Sequence, residues 1–109
     1  MDILNQLING LNKEEVRFFK MYINRFEKTE NRKDVQLFDY IRKSADRFSD
    51  DIIFKKLYQP KEKNSYYRLK NRLIREVNKS LTLQHFDDDT VVYIFRLLAL
   101  VKFYLNKNA

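Results

Sequence analysis

This chain of 109 residues has no cysteine, one glycine and one proline, and each scarcity excludes a kind of structure or chemistry. With no Cys, the chain forms no disulfide and has no thiolate for catalysis or metal binding. One Gly and one Pro are too few for a β-sheet whose strands are joined by tight turns. Together with many Leu, Lys, Arg and Glu residues, this scarcity predicts an all-α protein.

Long apolar runs are also missing. The longest are VVYIF and LLALV, and Arg96 separates them, so they fall short of the roughly 20 apolar residues that a membrane span needs. The opening MDILNQLINGL has Asp in second place and no basic stretch, unlike a secretory signal. We therefore expect no membrane partner and a cytoplasmic location.

Groups for catalysis and metal binding are scarce too. The single His, His85, has no sequence pattern that joins it to a serine nucleophile, and Gly10 alone makes no phosphate-binding loop. A metal site at His85 would use Asp87 and Asp89, but these carboxylates are better explained as caps of the last helix. We expect no enzymatic activity, no cofactor and no metal.

What remains is a chain with enough apolar residues for one core. Hydrophobic residues make up 44% and aromatic residues 15%, and their three- and four-residue steps predict five or six helices in one domain over residues 1–109. The predicted core residues are Ile3, Leu4, Leu7, Ile8, Leu11, Val16, Phe19, Ile23, Phe26, Leu37, Phe38, Ile41, Ile53, Phe54, Leu57, Tyr58, Tyr66, Leu69, Leu73, Val77 and Leu81.

Helix ends are marked by capping residues. Asn12 and Glu15 predict a capping box, and Asp34 and Ser49 predict two further N-caps. Gly10 predicts a left-handed stop at the end of the first helix. Pro60 ends the helix over residues 49–59, and the next helix is predicted over about residues 64–84.

This long helix carries a basic stripe. Arg68, Arg72, Arg75 and Lys79 recur at helical spacing, nearly opposite the apolar stripe. Lys61, Lys63 and Lys70 add to a local balance of +5 over residues 61–79, and the whole chain has a formal net charge of +7.

The stripe has three interpretations. A helix, a short loop and a long basic helix resemble the order of a helix-turn-helix, which predicts contact with nucleic-acid phosphates. Carboxylates folded over the stripe, such as those of Glu27, Glu30 or Asp46, would exclude that function. A solvated helix face and a surface for an acidic protein are the other interpretations.

The last helix is apolar almost all round. Residues 91–105 hold few polar side chains, and such a helix needs cover on more than one side. Partner packing or self-association through residues 91–105 is therefore expected, with Val92, Phe95, Leu98, Phe103 and Tyr104 as the contact residues.

Three segments of the sequence, LINGLNKEEVRFFKMYINRF, LFDYI and YYRLKNRLIREVNKSL, carry a resemblance to known proteins. With them, the sequence resembles the N-terminal region of a family of uncharacterised bacterial all-helical proteins, whose opening segment is matched by Leu11, Lys13, Glu15, Arg17, Phe19 and Lys20. In that family such a region precedes helical hairpins of the tetratricopeptide type. The resemblance implies that residues 87–109 contain the first helix of a repeat and that the chain is the N-terminal part of a longer scaffold protein.

Overall fold

A computed structural model of the chain describes residues 3–24, 32–86 and 90–107, with the side chains of Thr90 and Val92 left aside. These residues form a single all-α domain of six α-helices and no strands, so the predicted fold class is confirmed. The helices are α1 (Ile3–Asn9), α2 (Lys13–Asn24), α3 (Lys33–Ser44), α4 (Asp50–Leu57), α5 (Lys63–Phe86) and α6 (Thr90–Lys107), with a short 3₁₀ turn at Ala45–Arg47.

Helix α5 is the centre of the core. Helices α1, α2 and α3 pack against it, and α4 packs against α3. The rings of Phe19 and Phe38 stack with their centroids 4.6 Å apart, and neither side chain is exposed to solvent. The buried apolar residues are Leu4, Ile8, Leu11, Phe19, Tyr22, Ile23, Val35, Leu37, Phe38, Ile41, Ile53, Tyr66, Leu69, Leu73 and Val77.

Most of the predicted core residues are confirmed. Leu7, Val16, Phe54, Leu57, Tyr58 and Leu81 are half-buried against the same core. Ile3 is the exception, because its side chain is 73% exposed at the start of α1. Phe26 lies outside the described residues.

Two predicted helix caps are confirmed by their hydrogen bonds. The backbone N–H of Asn12 donates to Glu15 Oε1 and that of Glu15 donates to Asn12 Oδ1, both at 2.8 Å, which is a reciprocal capping box. At the start of α4, the hydroxyl of Ser49 accepts from the N–H of Ile52.

The predicted cap at Asp34 is wrong. Arg32 occupies the N-cap position of α3, and Asp34 lies in the first turn of that helix with 1% of its surface exposed. Its carboxylate is held by the Arg32 guanidinium at 2.6 and 3.1 Å. Burying a carboxylate costs free energy unless a partner compensates its charge, and Arg32 supplies that partner.

The predicted left-handed stop at Gly10 is also wrong, since no described glycine has a positive φ. The N–H of Gly10 donates to the Gln6 carbonyl at 3.0 Å, and that of Leu11 donates to the Ile8 carbonyl at 3.3 Å, so the helix ends without a left-handed glycine. Glycine here serves a close approach instead, because a Cβ would lie 3.1 Å from the Gln6 carbonyl oxygen.

Helix α5 is slightly longer than predicted, and its core stripe has one polar member. Ser80 is 2% exposed, and its hydroxyl donates to the Val77 carbonyl at 2.9 Å. This bond removes the cost of burying the hydroxyl. Asp87–Asp89, the predicted caps of α6, lie outside the described residues.

Candidate interaction surfaces

Helix α6 exposes apolar side chains around its whole circumference. Eleven large hydrophobic residues of α6 are between 43% and 67% exposed. They are Val91, Tyr93, Ile94, Phe95, Leu97, Leu98, Leu100, Val101, Phe103, Tyr104 and Leu105. Of the predicted contact residues, Phe95, Leu98, Phe103 and Tyr104 are thus all exposed, and the Val92 side chain lies outside those described.

The exposed apolar area on α6 is large for a domain of this size. Its four Phe and Tyr side chains alone expose roughly 500 Å², taking about 200 Å² for each complete side chain. The largest apolar patch of a typical monomer covers about 300–600 Å². With seven exposed aliphatic side chains added, α6 exceeds that range.

Arg96 lies where α6 borders residues of α2 and α5. It is the only half-buried residue among the described side chains of this helix. It lines a cleft of about 430 Å³ with residues of α2 and α5. Those residues are Tyr22, Asn78, Lys79, Thr82 and Leu83. Because the remaining described α6 side chains are exposed, this contact leaves the apolar surface uncovered.

The second surface is the basic face of α5, which we define as Arg68, Arg72, Arg75 and Lys79. All four residues are exposed. Among the described residues, no carboxylate forms an ion pair with the three arginines, and Lys79 lies 3.7 Å from Glu76 Oε1 on its own helix. The basic face therefore keeps most of its charge available to a partner.

The acidic residues that would exclude a nucleic-acid function do not cover this face where they are described. Asp46 is exposed and makes no ion pair with the basic face. Glu27 and Glu30 lie outside the described residues. Glu76 accepts a hydrogen bond from the Tyr22 hydroxyl at 3.1 Å, which orients the Glu76 carboxylate towards α2.

The two predicted lysines of this region lie in different surroundings. Lys63 is exposed at the first residue of α5. The side chain of Lys70 is only 15% exposed, because its ammonium group lies 3.2 Å from Asp50 Oδ1 and 5.5 Å from the centre of the Tyr66 ring. Lys70 thus joins α5 to α4 and does not extend the basic face.

The aromatic side chains of α2 form no exposed stacking surface. Tyr22 is buried, and Phe18 is half-buried against the core. The exposed apolar residue of this helix is Met21, at 64%.

His85 makes a contact that sequence reasoning missed. Its Nε2 lies 2.7 Å from Glu15 Oε2 and so joins the last turn of α5 to the capping box of α2. The bond from the Asn12 backbone, followed by that from His85, lowers the pKa of Glu15. The separation of 70 residues between His85 and Glu15 gives no local signal for this contact in the sequence.

Among the described residues, no three His, Asp or Glu side chains form a group that could hold a metal ion.

Fold and surfaces together define an all-α domain with one basic helix face and one uncovered apolar helix. Comparisons with models of protein families, with curated proteins and with solved structures found no match. Within the described residues, no helix combines the length and apolar character needed to cross a membrane.

Proposed function

We propose that this domain is a non-enzymatic interaction module that uses α6 to pack against another helix. The exposed apolar surface of α6 carries this proposal, because a helix apolar on all sides gains stability only when other surfaces cover it. In the helical-repeat proteins that the sequence resembles, the next helix of a hairpin would provide this cover. A cytoplasmic location completes the proposal.

The charges of α6 indicate the kind of helix that covers it. Between Thr90 and Lys107 the sequence contains Arg96, Lys102 and Lys107 but no acidic residue. A second copy of the chain would add another net charge of +7, which opposes association. The partner is therefore a helix with an apolar stripe bordered by carboxylates, which would complement both the area and the charge.

A pair of synthetic amphipathic helices tests this proposal. The two peptides share one Leu stripe, and one carries Glu where the other carries Lys. We expect fluorescence anisotropy to show binding of the Glu peptide only. The double variant Phe95→Gln/Leu98→Gln should bind it at least about 100-fold more weakly, since two buried apolar side chains contribute about 3–6 kcal/mol.

The matched control changes two exposed apolar residues elsewhere. Met21→Gln/Ile52→Gln removes side chains that are 64% and 60% exposed on α2 and α4, and it should bind the Glu peptide normally. Equal binding of both peptides, or equal loss in both variants, would exclude the proposal. A stable dimer in light scattering would identify a second copy as the covering surface instead.

A second candidate function is nucleic-acid binding through the basic face of α5. The observation that favours it is the lack of described ion-pair partners for three arginines in one row. Duplex DNA and single-stranded RNA, each titrated over a series of salt concentrations, test this function. The variant with Arg68, Arg72 and Arg75 changed to Glu should lose binding, whereas unchanged binding would exclude it.

A further inference from the structure

A small cleft lies where the basic face begins. Its volume is about 290 Å³, and it is lined by Tyr58 from the end of α4 and by Ser65, Arg68, Leu69 and Arg72 from α5. Leu69 is buried and forms the apolar floor, whereas the two arginines are exposed at the rim. Two arginines, one serine and one tyrosine therefore line one space.

The groups around this cleft donate hydrogen bonds. Arginine has donors only, and serine and tyrosine hydroxyls can donate. Burial raises the pKa of Tyr58, so its hydroxyl stays protonated at neutral pH. Lys33, at the start of α3, does not line the cleft, but its ammonium group lies 4.1 Å from the centre of the Tyr58 ring.

The two acidic side chains that act electrostatically on Tyr58, Asp34 and Glu62, are engaged by other groups. Asp34 is held by the Arg32 guanidinium. Glu62 accepts a hydrogen bond from the backbone N–H of Gln59 at 2.8 Å. No carboxylate lines the cleft itself, so the space favours an anion.

We infer that this cleft binds one phosphate group of a nucleic-acid strand, with Arg68 and Arg72 as charge partners and Ser65 and Tyr58 as hydrogen-bond donors. A phosphate offers the oxygen geometry that guanidinium groups match best. A strand fits better than a free phosphate, because the basic face runs on from Arg68 to Lys79 over about 16 Å of helix. The inference rests on the second candidate function and is independent of α6.

A labelled single-stranded RNA, titrated by anisotropy over a series of salt concentrations, tests this site. For Arg68→Gln/Arg72→Gln we expect binding at least about tenfold weaker and a log–log salt slope less steep by about 1.4, or 0.7 for each lost contact. Tyr58→Phe keeps the ring and removes only the hydroxyl, and it should weaken binding about tenfold.

The control Arg17→Gln/Arg47→Gln removes the same charge from two exposed arginines on α2 and the 3₁₀ turn. It should keep the wild-type salt slope and lose less than about threefold in affinity. If this control loses as much as the cleft variant, the cleft site is excluded while nucleic-acid binding stands. If the wild-type protein does not bind the RNA at low salt, both are excluded.

Two competitors separate the remaining ligands. Inorganic phosphate at constant ionic strength should leave the RNA bound, and displacement by it would assign the cleft to a free phosphate. Polyglutamate should compete poorly, since carboxylates on a flexible chain do not fill the cleft. Displacement at an equal concentration of charge would assign the basic face to an acidic protein and overturn the inference.

Discussion

At the residue scale, two neighbouring isoleucines of α4 differ in how deeply their side chains are buried. Ile53 is 1% exposed and packs into the core, whereas Ile52 is 60% exposed. We expect Ile53→Ala to lower the free energy of unfolding by about 2–5 kcal/mol, because the truncation leaves a cavity. Ile52→Ala should change it by less than about 0.5 kcal/mol. Unfolding in urea measures both, and equal losses would contradict the packing of α4.

Glu15 couples stability to pH at the same scale. Its pKa is lowered in the folded chain by the Asn12 backbone and then by His85. A lowered folded pKa adds stability above the unfolded value, near pH 4.5, and this stability is lost as the pH falls through the folded value. We therefore expect the wild-type protein to lose more stability below this pH than the variant Glu15→Gln, which still caps α2.

The control for this pH effect is Glu14→Gln, which changes the exposed carboxylate one residue before Glu15. Urea unfolding at several acidic and neutral pH values should show the wild-type pH dependence in this control. A Glu15→Gln variant with the same pH dependence as the wild-type protein would show that Glu15 is not the group responsible.

At the element scale, α5 and α6 differ in what covers their leucines. Leu73 of α5 is fully buried, and Leu98 of α6 is 58% exposed. We expect Leu73→Ala to lower the free energy of unfolding by about 2–5 kcal/mol. Leu98→Ala should lower it by less than about 0.5 kcal/mol when the protein is a dilute monomer. A large loss at Leu98 under those conditions would mean that α6 packs on its own core.

Local signals predict the helices well and their ends less well. Pro60 and the apolar steps identified α5 to within two residues at each end, because helical hydrogen bonds join residues close in sequence. The roles of Asp34 and Lys70 were predicted less well, because each role depends on the residue that forms an ion pair with it. Arg32 makes Asp34 a buried ion-pair member, and Asp50 draws Lys70 away from the basic face.

At the scale of the whole molecule, α6 extends the structure beyond its core. The radius of gyration is 16.5 Å, whereas about 13 Å is typical of a compact domain of this length. The charge of +7 counteracts the attraction between exposed apolar helices.

This balance between apolar attraction and charge makes self-association depend on salt. We expect it to be weak at low salt and to increase with salt, because screening removes the repulsion. Sedimentation equilibrium over a series of salt concentrations measures this trend. Association that decreases with salt would instead indicate attraction between opposite charges.

The amino-acid sequence by itself determined the all-α class, the capping box at Asn12, the charged stripe of α5 and the apolar character of α6. These properties depend on composition and on spacings within one or two helical turns. Only the tertiary structure decided which charges remain available, which carboxylates are engaged and which apolar side chains stay uncovered. The Tyr58 cleft and the His85–Glu15 contact arise where separate helices meet, so their geometry depends on packing across the whole core.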